Sequence, residues 1–84
     1  MSIDAKQAAH AAATYYENIS DERVKLSIEE IEFDDKGFWL ITLGISDSYG
    51  MGSISSFVNK VREYKLFKID SNSGEVKSMK IRKV

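Results

Sequence analysis

The chain reads as an α+β domain, an N-terminal helix packed on a four-stranded antiparallel meander sheet. Three observations predict it. Apolar residues recur at helical spacing over residues 4–19. From Arg23 onward they alternate at strand spacing. The alternating stretches are broken by polar, glycine-containing turns and by one long irregular segment.

The helix comes first. At 100° per residue, Ala5, Ala8, Ala9, Ala12, Tyr15, Tyr16 and Ile19 share one face, with Lys6, His10, Thr14 and Glu17 opposite. Asp4 suits the N-cap, and Gln7 stands three residues on, where a capping box needs its partner. Ile3 is placed to staple onto Ala8. Alanine near the start of the apolar face lets the helix axis lie close to a sheet, and the two tyrosines fill the wider end. Asn18 to Glu22 lacks periodicity and reads as the exit loop.

The first strand spans Arg23 to Phe33. Val24, Leu26 and Ile28 alternate with polar residues, then the phase slips and Ile31 and Phe33 follow. One extra residue is the mark of a β-bulge, predicted at Glu29–Glu30. Asp34-Asp35-Lys36-Gly37 is a hairpin turn. The second strand, Phe38 to Ser46, puts Trp39, Ile41, Leu43 and Ile45 on one face and Phe38 and Leu40 on the other, as a central strand would. The third strand runs from Lys60 to Asp70, with Val61, Lys65, Phe67 and Ile69 opposite in phase to Tyr64 and Leu66. Asp70-Ser71-Asn72-Ser73-Gly74 is a polar turn, and the last strand runs from Glu75 to Arg82 with Val76, Met79 and Ile81.

Length and composition set the bounds. The 84 residues suit one domain, taken as 1–84. Apolar residues at 43% and charged residues at 30% suit a folded globular chain. With no cysteine, disulfides, thiolate metal sites and cysteine catalysis are excluded. No apolar run approaches the roughly 20 residues that span a bilayer, so no membrane partner is expected. Ala8 to Ala13 is interrupted by His10 and lacks a basic segment before it, so it does not read as a secretion signal. The expected compartment is the cytoplasm, or the cell envelope if a leader has been removed.

Charge divides unevenly. Residues 1–59 carry 4 basic and 10 acidic side chains, and residues 60–84 carry 8 basic and 3 acidic. The two halves can attract each other across a sheet, or the basic half can face an anionic partner.

Candidate chemistry is sparse. His10 is the only histidine, with no second histidine or cysteine to share a metal, and it reads as a surface residue. Asp70 to Gly74 resembles the start of a calcium loop, but the twelfth position, where a glutamate is required, is Ile81. Gly50-Met51-Gly52-Ser53 lacks the strand-to-helix context of a phosphate-binding loop. The pairs Asp21-Glu22, Glu29-Glu30 and Asp34-Asp35 sit on turns and a polar strand face, where solvated charge is the expectation. No catalytic, metal or cofactor residue is assigned, and the chain reads as non-enzymatic.

Two surfaces remain. Tyr64 and Phe67 interleave with Arg62, Lys65, Lys68, Lys77, Lys80, Arg82 and Lys83, as on a sheet that stacks bases. The near-zero net charge and the absence of a recognisable motif weigh against nucleic acid. The irregular segment from Asp47 to Asn59 is long for a hairpin loop and holds Tyr49, Met51, Ile54 and Phe57. These four either fold back over the outer sheet face or form a partner-binding lip, since aromatic residues and methionine are enriched at interfaces. They are the candidate partner-binding residues. The partner is another protein, or a second copy of the chain in a homodimer that buries Phe38 and Leu40.

With the strands placed, Tyr64-Lys65-Leu66-Phe67-Lys68-Ile69-Asp70-Ser71-Asn72-Ser73-Gly74-Glu75-Val76 resembles the closing hairpin of PepSY domains, a strand, Asp, a short polar stretch and Gly-Glu-Val. The capped, alanine-lined Ile3-Asp4-Ala5-Lys6-Gln7-Ala8 is similar to that family's opening helix, and Trp39 and Ile41 stand where it has its central strand. The loop from Asp47 to Asn59 is longer than the family pattern, and no stretch of these residues reads as the leader expected of a family that is usually secreted or membrane-attached. The resemblance implies a non-catalytic module that inhibits or regulates a peptidase, with no catalytic residues to transfer.

Overall fold

The computed structural model describes residues 2–20, 24–47 and 63–82. The elements are α1 (Ala5–Ile19), β1 (Val24–Phe33), β2 (Phe38–Asp47), β3 (Glu63–Asp70) and β4 (Val76–Arg82). The four strands form one antiparallel sheet in the order β1-β2-β3-β4, with α1 across one face, as predicted. Residues 60–62, expected at the start of the third strand, lie outside the described residues.

α1 starts where its cap chemistry places it. The Asp4 carboxylate accepts the Gln7 amide N–H at 2.8 Å, and the Gln7 side-chain oxygen accepts the Asp4 N–H at 2.9 Å. The reciprocal pair satisfies two amides that a helix start leaves without partners. At the other end the Ser20 N–H closes on the Tyr16 carbonyl at 3.0 Å.

The core lies between α1 and the helix-side face of the sheet. Ala8, Ala9, Ala12 and Tyr16 meet Ile41, Leu43 and Ile45 of β2 and Phe67 and Ile69 of β3, all buried. Tyr15 and Tyr16 both turn ring edges toward Phe67, with centroids 6.3 and 6.5 Å away. Ile3 packs against this core. Its N–H donates to the Ser71 carbonyl at 2.7 Å, and its carbonyl accepts the Trp39 indole N–H at 3.1 Å. The stretch before α1 is thereby tied to the end of the sheet where both hairpins turn.

Those hairpins share one device. Asp34 accepts the Lys36 and Phe38 N–H groups, and Asp70 accepts those of Asn72 and Ser73. Gly37 and Gly74 take the left-handed backbone the turns require, at φ 91° and 77°. The Ser71 N–H then donates to the Gly37 carbonyl at 3.1 Å, joining the two turns.

The two N–H donors favour the charged form of Asp70 and hold its carboxyl below the usual 3.8, Asn72 contributing most and then Ser73. A carboxylate with a lowered folded pKa contributes stability that is present above the unfolded value and lost as pH falls through the folded one. The urea midpoint is therefore expected to drop as Asp70 protonates below pH 3.8. Asp70→Asn should remove that part of the drop, which urea titrations of both proteins across this range will check.

The register slip in β1 is the predicted bulge. Ile28 pairs with Leu43 and Glu30 with Thr42, leaving Glu29 as the extra residue. A second bulge was not anticipated. Lys68 pairs with Ser78 and Ile69 with Val76, so Lys77 is extra in β4. It returns Val76 and Met79 to the same face despite their odd spacing.

Candidate functional site

Among the described residues β1 is an edge strand, paired on one side only. Its alternation puts Val24, Leu26, Ile28, Ile31 and Phe33 on the helix side, since their partners are the helix-side residues of β2. Val24 and Leu26 pack against the core. Alternation at strand spacing predicts one buried face, yet Ile28, Ile31 and Phe33 on that face are 56%, 43% and 51% exposed. A helix is about 10 Å across, and four strands spaced about 4.8 Å span more than that. α1 sits centrally and touches all four strands, so the sheet extends past it on both sides: the hairpin half of β1 is uncovered, and Ile81 on the helix side of β4 is 68% exposed at the other edge.

The uncovered strip is one wall of an open groove of about 970 Å³. The other wall is the flank of α1, where Ala5, Ala9 and Ala13 stand four residues apart, with Lys6 and His10 beside them. Phe33 stacks edge-on against Trp39 at 4.7 Å and closes the strip toward the hairpin end. Small side chains on the helix and branched ones on the strand make the groove apolar and leave it unfilled.

The other sheet face is polar at the same edge. The bulge puts the Glu29 carboxylate beside Ser27, whose hydroxyl donates to it at 2.6 Å. Gly44 of β2 makes room: a Cβ there would lie 2.7 Å from the Glu29 carboxylate and 2.9 Å from the Ser27 hydroxyl. Arg82 of β4 crosses the outer face to hydrogen-bond Glu30 of β1, and donates to the Thr42 hydroxyl at 2.7 Å. Here the acidic first half and the basic second half of the chain meet, in a cleft of about 170 Å³ with Tyr64. Both partners are well exposed, so the pair orients side chains more than it stabilises them.

Sequence reasoning singled out other residues. Tyr49, Met51, Ile54 and Phe57 lie outside the described residues. Phe67, needed at the surface for base stacking, is fully buried in the core. Phe38 and Leu40 are half-buried on the outer face, and the Lys68 ammonium lies 4.3 Å over the Phe38 ring. His10 is exposed on α1, at the groove. Among the described residues, no group of three or more acidic or histidine side chains could hold a metal ion. Every buried side-chain polar atom there has a partner. No helix among them is long and apolar enough to cross a membrane.

The signal for the β1 strip was present in the slip from Ile28 to Ile31, which keeps both on one face. Its exposure was not readable, because periodicity assigns a face and not what covers it. No family model matches the chain, and no curated protein or solved structure does either, so the role of the site is read from its own residues.

Proposed function

We propose that the protein is a non-enzymatic protein-interaction module that binds its partner along the β1 edge and the groove beneath α1. The observation that carries this reading is the coincidence of a strand edge left unpaired among the described residues with the exposed row Ile28, Ile31 and Phe33. Such an edge offers backbone donors and acceptors to another strand, and the side-chain row supplies apolar contact. Glu29, Glu30 and Glu32 on the same strand guard the edge against indiscriminate pairing. The resemblance of Tyr64 to Val76 to the closing hairpin of PepSY domains supports the same class and suggests a peptidase inhibitor or regulator. A homo-oligomer closed over the outer face is less well supported, because Lys68 already caps Phe38 and Arg82 already spans to Glu30.

The test is affinity capture from the host's lysate with three baits: wild type, Ile28→Ser/Ile31→Ser, and a chain with residues 49–57 replaced by Gly and Ser. The first two positions are exposed, so the double variant should stay within roughly 1 kcal/mol of wild-type stability. A partner retained by wild type should be weakened about tenfold or more by the β1 variant and kept by the loop variant. Loss with the loop variant alone would move the site to Tyr49, Met51, Ile54 and Phe57. Capture of nothing but the chain itself would favour the homo-oligomer.

A further inference from the structure

A strand added to β1 would present two rows of side chains. Those on the helix side would enter the groove between Ile28 and Ile31 and the Ala5, Ala9 and Ala13 flank of α1. The small alanine wall leaves room there for branched aliphatic side chains. The alternate row would fall on the outer side, next to Glu30 and Glu32, with the bulged Glu29 close by. Lys25 stands at the far end of that row, and negative charge is in surplus at its hairpin half. Arg82 engages Glu30, Ser27 engages Glu29, and Glu32 has no cation partner among the described residues.

We propose that β1 takes up an extended segment of another protein as a fifth strand, and that this segment alternates aliphatic with basic residues. The inference rests on the interaction-module reading above and names the class of partner. A second copy of the chain fits less well. Two β1 edges paired about a twofold axis at Ile31 would set Glu30 of each copy against Glu32 of the other; a register centred on the bulge, which sets Lys25 against Glu32, is the dimer that the experiment below tests for. β4 of a second copy carries the right charges, but its bulge at Lys77 leaves only Ser78–Arg82 regular, and Arg82 is already bonded to Glu30 and Thr42.

The experiment titrates the isotope-labelled full chain with three synthetic peptides matched to the ten residues of β1. One alternates Ile and Lys, one Ile and Glu, and one Ser and Lys. The Ile/Lys peptide should shift the β1 amides and those of Ala5, Ala9 and Ala13, and slow hydrogen exchange along β1. It should bind at least about tenfold more tightly than either other peptide. Its advantage over Ile/Glu should shrink in about 1 M salt and in Glu30→Gln/Glu32→Gln. Ile31→Ser should weaken it without unfolding the chain. Equal binding of the Ile/Glu peptide would overturn the proposal. So would shifts confined to other strands, or a wild-type dimer that Ile28→Ser/Ile31→Ser dissolves. If no peptide engages β1 while capture still depends on Ile28 and Ile31, this inference falls and the interaction-module reading stands. If capture is also indifferent to them, both fall.

Discussion

Phe67→Ala should lower the free energy of unfolding by about 3–5 kcal/mol, the usual cost of truncating a fully buried phenylalanine. The ring is fully buried, between Ile41 and Met79 in the ladder and under the edges of Tyr15 and Tyr16. Removing it deletes apolar contact and leaves a void bounded by two strands whose main chains are fixed by the sheet. The tyrosines above lose the ring they are packed on, so collapse from the helix side would have to carry α1 with it. A domain of 84 residues has a total stability of only about 4–13 kcal/mol, so the variant should be close to unfolded at modest urea. Leu66→Ala, one residue earlier and half-buried on the outer face, should cost much less and serves as the control. Urea titrations of the two variants beside wild type decide the matter. A cost for Phe67→Ala under about 1 kcal/mol would place the ring at the surface, where a base-stacking sheet would need it.

Much of this fold was legible because local chemistry and global position agree in it. Asp4 and Gln7 start the helix at the residue where the apolar spacing begins. Asp34 with Gly37 and Asp70 with Gly74 turn the chain where the alternation stops. The odd step from Ile28 to Ile31 marked the β1 bulge, and the structure has it. The same odd step from Val76 to Met79 went unread, because a seven-residue strand with three apolar residues shows too little of its period to reveal a slip.

The candidate site was less legible for a different reason. Apolar spacing places Ile28, Ile31 and Phe33 on the helix side, but whether a helix covers them depends on where α1 sits, and no single segment encodes that. Phe67 shows the converse. Its basic neighbours suggested a surface, while its pairing with Ile41 puts it at the centre.

Ala12→Leu should cost about 1–3 kcal/mol by overpacking. Leucine and alanine have nearly equal helix propensity, so the loss would be steric and not a weakening of the helix itself. Ala12 is fully buried, as is Ala8 one turn earlier. Three further carbons at Ala12 have nowhere to go except between α1 and β2 or β3, whose residues Ile41, Leu43 and Phe67 are themselves fully enclosed. The helix must therefore lift or slide. Thr14→Leu, on the exposed side of the same helix, should change stability by under about 0.5 kcal/mol and controls for propensity. The displacement also bears on binding. The wall of the groove opposite Ile28 and Ile31 is the Ala5, Ala9 and Ala13 flank of that same helix. Its height above the sheet is set by the row of alanines next to it. Lifting α1 widens the groove, so an added strand would touch β1 but not the helix. Ala12→Leu should thus weaken a β1-bound partner as well as destabilise the fold, whereas Thr14→Leu does neither. Stability lost with binding intact would show that the partner pairs with the strand edge alone and makes no use of α1.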